Sequence, residues 1–197
     1  IPRLANLVNL QGLFLFDNFL SGEIPSSLGA LTSLTTLDLD TNLLTGQIPS
    51  LLGSLIRLEF LFLAENALEG TLPTTLGSLR SLEILQVYDN ILTGTVPSQY
   101  RFLTRLTSVA FEGNSLEGEI SGAVLQGWSA MNDLNLGDNL LSGDIPSEIG
   151  ALVNIDFLDL YFNSLSGVLP DELGDLRNAR EIYLEDNFFS GTIPRSL

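Results

Sequence analysis

Carboxylates and aromatic rings are the chemistry-bearing side chains this chain holds in quantity. Its 197 residues contain 24 Asp and Glu against 8 basic residues, for a formal net charge of −16, and neither histidine nor cysteine. All the basic residues are arginine. Without imidazole or thiol there is no Ser-His or Cys-His relay and no ligand set suited to zinc. Neighbouring carboxylates such as Asp38 and Asp40 are the pairs that glycoside hydrolysis uses. That chemistry also needs an enclosed cleft that raises the pKa of one acid. Hard divalent cations want several converging oxygens, and no Asp-x-Asp-x-Asp-Gly loop occurs. A field this negative repels phosphate backbones, so nucleic acid is not an expected partner. No enzyme activity and no cofactor are expected, which leaves binding.

The positions of the acids and rings follow from a repeat. The word Gly-x-Ile/Leu/Val-Pro recurs with its glycine at 22, 46, 70, 94, 118, 143, 167 and 191, an interval of 24 residues throughout except for one of 25. Four residues before each glycine stands an asparagine: Asn18, Asn42, Asn66, Asn90, Asn114, Asn139, Asn163 and Asn187. Ahead of each runs an apolar frame, as in Leu34-x-x-Leu37-x-Leu39 and Leu58-x-x-Leu61-x-Leu63, which degrades in later copies only to residues such as Val87, Phe111, Met131 and Ala179. The alternation in that frame predicts a short strand with one buried face. The asparagine amide suits a buried turn, where it can meet backbone groups left unpaired by a tight coil. Leucines spaced by three after the proline predict a 3₁₀ or short helical turn on the outer side.

The frame L-x-x-L-x-L-x-x-N-x-L-x-G-x-I-P-x-x-L-G-x-L-x-x-L resembles the plant-type leucine-rich repeat, and the resemblance covers essentially all of 1–197. It implies an α/β repeat fold: a right-handed solenoid of about eight coils in a single domain, with a parallel β-sheet lining its concave face and 3₁₀ or short helical turns on the convex one. It also implies an extracellular or cell-surface binding module, similar to receptor-kinase ectodomains, that holds a protein or peptide on the concave face. Two other classes stay open: plant inhibitors of pectin-degrading enzymes, which the chain also resembles, and structural, adhesion or ice-binding solenoids.

In that frame three columns face outward from the concave sheet, running through Gly12, Phe14 and Phe16 in the first coil. They and their flanking positions hold 15 of the 24 acids, with Arg180 as the lone basic residue. Eight aromatic residues fall in the same columns and Phe162 at their edge. The candidate ligand-binding set is Phe14, Phe16, Asp38, Asp40, Phe60, Phe62 and Tyr88 toward the N-terminal end, and Asp159, Tyr161, Phe162, Tyr183 and Glu185 toward the other. Small residues, among them Ser108, Ala110 and Gly137, separate the two groups. Rings rimmed by charge have the composition of binding hot spots. The same side chains also fit a solvated face, a cation-bridging face, or ring packing that steadies the sheet. Phe19, Phe188 and Phe189, which flank the asparagine, are expected on the packed side.

Two departures from the period carry expectations. At Gly118-Glu119-Ile120-Ser121 the proline is lost and one residue is added before Trp128. This is read as an insertion tolerated by the outer turns, with a kink between coils five and six as the alternative. The frame also starts within one copy, at Ile1-Pro2, and stops within another, at Ile193-Pro194. The expectation is a slice of a longer solenoid, truncated at both ends and given to weak self-association through Leu4, Leu7 and Leu10 at one end and Phe188, Phe189 and Ile193 at the other. No apolar run approaches the length of a membrane span, and no Asn-x-Ser/Thr glycosylation sequon occurs.

Overall fold

The structure, a computed structural model, describes residues 6–197; Ile1, Pro2 and Leu4 lie outside the described residues. Two parallel sheets run the length of the solenoid. The first has eight strands: β1 (Gly12–Phe14), β3 (Thr36–Asp38), β5 (Phe60–Phe62), β7 (Ile84–Gln86), β9 (Ser108–Ala110), β11 (Asp133–Asn135), β13 (Phe157–Asp159) and β15 (Glu181–Tyr183). The second has seven: β2 (Ser21–Glu23), β4 (Leu43–Gln47), β6 (Ala67–Thr71), β8 (Ile91–Gly94), β10 (Ser115–Glu119), β12 (Leu140–Asp144) and β14 (Ser164–Ser166). Strand pairing in the first sheet is the sequence period made visible: Leu13 pairs with Leu37, Leu37 with Leu61 and Leu61 with Leu85.

The apolar frame fills the space between the sheets and the outer turns. Leu34, Leu37, Leu39, Leu44, Ile48, Leu52 and Leu55 are all buried, and the same columns continue through Phe111, Met131 and Ile155. Each outer 3₁₀ turn opens after the proline, whose carbonyl accepts the N–H three residues on, as in Leu28→Pro25 and Leu52→Pro49, both 3.0 Å. Proline suits that place because its own missing N–H would have had no partner there. The turns stack so closely that a Cβ at Gly53 would run into the Thr75 carbonyl of the next coil. The glycine of each Gly-x-Ile-Pro word has positive φ, between 73 and 84°, a region open to glycine at no steric cost.

The spacing does not predict the second sheet, and two rings lie elsewhere than expected. From Asn42 to Asn163 the residue after each asparagine begins a second-sheet strand; Phe19 and Phe188 occupy the same column at the two ends, two residues ahead of β2 and of the Val168–Ser190 bridge, and face away from the core. Phe19 is therefore 90% exposed and Phe188 70% exposed rather than packed, whereas Phe189, one residue on, packs against the core as expected.

Asparagine supplies the glue between coils. Asn90 Nδ2 donates to the carbonyls of Val87, Tyr88 and, one coil back, Leu63, at 3.0–3.1 Å, and its Oδ1 accepts the N–H of Leu68 at 2.9 Å. The same four bonds recur at Asn42, Asn114, Asn139 and Asn163. Each asparagine follows a residue in the left-handed region: Asp17, Thr41, Glu65, Asp89, Gly113, Asp138, Phe162 and Asp186, with φ from 46 to 63°.

The extra residue at Ser121 is absorbed locally. A helix, α1 (Gly122–Gly127), replaces the 3₁₀ turn. Trp128 is buried behind it and donates its Nε1–H to the carbonyl of Tyr100 at 3.1 Å. Strands β9, β11 and β13 stay in continuous register across it, as do β10 and β12.

Candidate functional site

The outer face of the first sheet is the concave face, and its columns are those predicted. Residues 12, 14 and 16 of the first coil align with Thr36, Asp38 and Asp40, and with Phe60, Phe62 and Ala64 in the third. Phe14, Phe16, Phe162, Tyr183 and Glu185 are exposed; Asp38, Asp40, Phe60, Phe62, Tyr88 and Tyr161 are half-buried; Asp159 is only 7% exposed. The structure thus brings all twelve candidates onto one face or its rim. Phe60 and Phe62 lie parallel with centroids 6.4 Å apart, and Phe157 tilts against Tyr183 at 5.5 Å. Part of the aromatic surface is therefore spent on ring-to-ring packing that steadies the sheet.

Parallel pairing explains several of the acids. In the second coil Leu39 N–H donates to Phe62 and Thr41 N–H to Ala64, so the N–H of Asp40 between them faces out and has no ladder partner. Asp38 Oδ1 accepts it at 3.3 Å. Asp40 in turn accepts the outward N–H of Ala64, Asn135 that of Gly137 at 3.0 Å, and Asp159 that of Tyr161 at 2.9 Å. Three of the four predicted acids thus hold strand ends; no spacing signals this, because the register decides which N–H groups the ladder leaves over.

Glu112 is the acid this account does not cover. It lies in the Phe16 column between Tyr88 and Gly137, and its Oε2 is buried with no hydrogen-bond partner. Burial pushes its pKa from the ordinary 4.5 up to about 7, with Asp89 and Asp159 adding to the rise. Burial likewise lifts Asp40 to about 6 against the backbone bond from Ala64, and raises Asp38, Asp133 and Asp159. Burial, with the charges of Glu65 and Asp40 adding to it, pushes Tyr88 up to about 12. Tyr161 leans over Gly137, where a Cβ would strike its ring, and comes under the field of Glu112 and Asp89. The gap between the two aromatic groups is therefore partly covered, with the Tyr161 ring over Gly137 and Glu112 in the neighbouring coil. Glu112 was visible in its column, but its missing partner was not.

Among the described residues no group of acids converges as a metal site would require, and no helix is long and apolar enough to cross a membrane. The face is open, acidic and ringed, with Arg180 on its edge tied to Asp156 at 3.1 Å.

Two stacked parallel sheets, a buried asparagine ladder and convex 3₁₀ turns define a leucine-rich-repeat solenoid. The chain has the leucine-rich-repeat fold and is similar to the ectodomains of plant receptor kinases. The Leucine Rich Repeat family model matches residues 9–31, 33–55 and 154–176. The ectodomain of the Arabidopsis receptor kinase HAESA, solved with the peptide hormone IDA and the co-receptor SERK1, is 35% identical with a TM-score of 0.93, the match covering 96% of this chain and 32% of that one. The ectodomain of the Arabidopsis thaliana receptor kinase GASSHO1/SCHENGEN3, solved with CASPARIAN STRIP INTEGRITY FACTOR 2, is 35% identical with a TM-score of 0.83 over 98% of this chain and 26% of that one. A plant ice-binding protein is 27% identical with a TM-score of 0.75 over 98% of this chain and 70% of that one. The chain thus spans about a third of the length of the receptor ectodomains it matches. No curated protein matches it.

Proposed function

We propose that residues 1–197 form a single non-catalytic binding domain, extracellular or at the cell surface, that holds a peptide or protein ligand on its acidic, aromatic concave face. The observation that carries this reading is the side-chain inventory of that face: exposed Phe14, Phe16, Phe162 and Tyr183 stand among carboxylates that no basic residue but Arg180 opposes. Similar ectodomains were solved with a peptide hormone or a named factor bound, which agrees with a ligand-binding role. The field raises the encounter rate of a cationic ligand, and the rings supply the contact area.

Synthetic peptides of equal length and basic, neutral or acidic character, titrated calorimetrically, test it. Basic peptides that also carry aromatic residues should bind most tightly. The double variants Phe62→Ala with Asp40→Asn, and Tyr161→Ala with Asp159→Asn, should weaken them while leaving circular dichroism intact, since asparagine keeps an acceptor for the backbone N–H. Binding that ignores peptide charge, or full affinity in both double variants, would move the site off this face.

The ice-binding alternative finds less support. The outward columns of the second sheet hold Ser21, Thr45 and Thr93, but Glu23, Glu69, Glu117, Glu119 and Asp144 interrupt them, so no regular hydroxyl ladder forms.

A further inference from the structure

The arginines are not scattered. On the outer turns that lead into β5, β7 and β9, the stretches 50–58, 73–82 and 97–107 contain Arg57, Arg80, Arg101 and Arg105 and no acid. The corresponding turns into β3 and β11, 26–34 and 121–131, carry no charge at all. The turns into β13 and β15 reverse the sign, with Glu148, Asp171, Glu172 and Asp175 against Arg177. One convex region of a strongly acidic molecule is therefore positive.

Its geometry keeps that charge available. The Arg80 and Arg101 guanidinium groups both lie over the Phe102 ring, each 4.4 Å from its centroid. Arg80 Nη1 donates to the Phe102 carbonyl at 3.1 Å and Arg101 Nη1 to the Ser98 carbonyl at 3.4 Å. Ring and carbonyls fix the two side chains without neutralising them, and a guanidinium held this way keeps donors free for a carboxylate. Among the described residues the ion pairs are Arg105 with Glu83 and Arg180 with Asp156. Arg57, Arg80 and Arg101 have no acidic partner and are exposed.

We propose that this convex surface docks on the concave face of a second copy of the chain, joining molecules head to tail. The partner surface has the opposite sign: Glu65 and Asp89 stand exposed on its rim in adjacent coils, with Asp40 and Glu112 in the coils on either side. It also repeats coil by coil. Arginines step from one outer turn to the next and acids from one strand to the next, one step per coil, with about 4.8 Å between the paired strands. Charges that repeat once per coil on both surfaces can meet in more than one place, which a single surface ion pair does not achieve. The contact is heterologous, so each bound copy leaves one arginine surface and one acidic face free, and assembly continues into chains.

Salt separates this contact from apolar joining of solenoid ends. The Debye length is about 30 Å at 0.01 M, about 8 Å at 0.15 M and about 3 Å at 1 M. At the lowest salt the whole-molecule charge of −16 holds copies apart. At the highest, arginine–carboxylate attraction is itself screened. Association should therefore peak between these limits, whereas apolar end contacts strengthen all the way up.

The inference rests on the concave face being a docking surface, as the proposed function does, but not on a foreign ligand. Sedimentation equilibrium on the 197-residue chain and two double variants decides it. Arg80→Glu with Arg101→Glu removes the convex half, and Glu65→Lys with Asp89→Asn removes the concave half; all four side chains are exposed. Circular dichroism should be unchanged in both. Each variant alone should be monomeric, and their equimolar mixture should form a dimer and nothing larger, because one intact surface of each kind remains. A monomeric wild type at every salt, a variant that still assembles alone, a mixture that stays monomeric, or association that climbs to the highest salt would overturn it. So would binding of polyglutamate to the arginine surface of a chain that never self-associates, which would name an acidic partner of another kind. If peptides fail to bind but the mixed dimer forms, the peptide reading falls and this one stands.

Discussion

Two polar columns run the length of this molecule and behave in opposite ways. The asparagine column is satisfied: a mid-solenoid member such as Asn90 makes four hydrogen bonds, and nothing is left over for a ligand. The acidic columns of the concave face are satisfied only in part. Asp38, Asp40 and Asp159 each accept an outward backbone N–H, while Glu112 keeps a buried oxygen with no partner. A repeated polar residue with every bond made is architecture; one that carries unspent charge into solvent is available for recognition.

Substitution should separate the columns by size of effect. Asn90→Ala strands the Leu68 N–H and three carbonyls in the coil, at a cost of about 1–3 kcal/mol for the unsatisfied groups. For a chain of this size each kcal/mol lowers the melting midpoint by about 2–4 °C, so differential scanning calorimetry should show a clear drop. Asn18, exposed in the first coil, donates to Leu15 and Phe16 and makes no other side-chain bond among the described residues, and its alanine variant should melt much closer to the wild type. Equal losses at both sites would mean that coil-to-coil bonding is not what the asparagines contribute.

The acidic column should reveal itself through pH. Glu112 has a folded pKa of about 7 against the ordinary 4.5, and Asp40 about 6 against 3.8. Between those limits the folded chain binds more protons than the unfolded one, so stability falls as pH rises through the folded values. The melting midpoint should therefore rise on acidification from about pH 8 to pH 5, the reverse of ordinary acid denaturation. Glu112→Gln, which cannot ionise, should flatten the upper part of that slope. A wild-type midpoint that drops steadily over this interval would mean that the concave carboxylates are better satisfied than their geometry indicates.

The smallest effect belongs to the exposed rings Phe19 and Phe188, which stand outside the second-sheet strands. Phe19→Ser and Phe188→Ser remove side chains that sit in solvent, and each should change stability by no more than about 0.5 kcal/mol in chemical denaturation. A large loss at either would restore the packed placement that the sequence suggested.

That misplacement shows where sequence reading stopped. The first sheet, the outer turns and the asparagine role follow from periodicity, because apolar spacing reports which side of a backbone is buried. The second sheet was also written in period two: buried Leu44 and Ile48 flank Gly46 and alternate with exposed Leu43, Thr45 and Gln47. Glycine and proline in that stretch read as turn residues and masked the alternation. At the site, the columns and their acids and rings were legible, since they follow from the same alternation. The backbone bonds of Asp38, Asp40 and Asp159 were not, because they depend on which N–H groups parallel pairing leaves outward. The lean of Tyr161 over Gly137 depends on a rotamer that no spacing encodes.

Helix α1 has a consequence for how such a chain changes over generations. One added residue disappears into a slightly longer outer turn, while the strands on either side keep their pairing unaltered. Length errors in copying are thus absorbed on the convex side, and the inner face inherits only substitutions. A gene with this layout can gain or lose whole coils, or vary its outer turns, without scrambling the order of the side chains that meet a partner. Selection is then free to retune recognition one residue at a time.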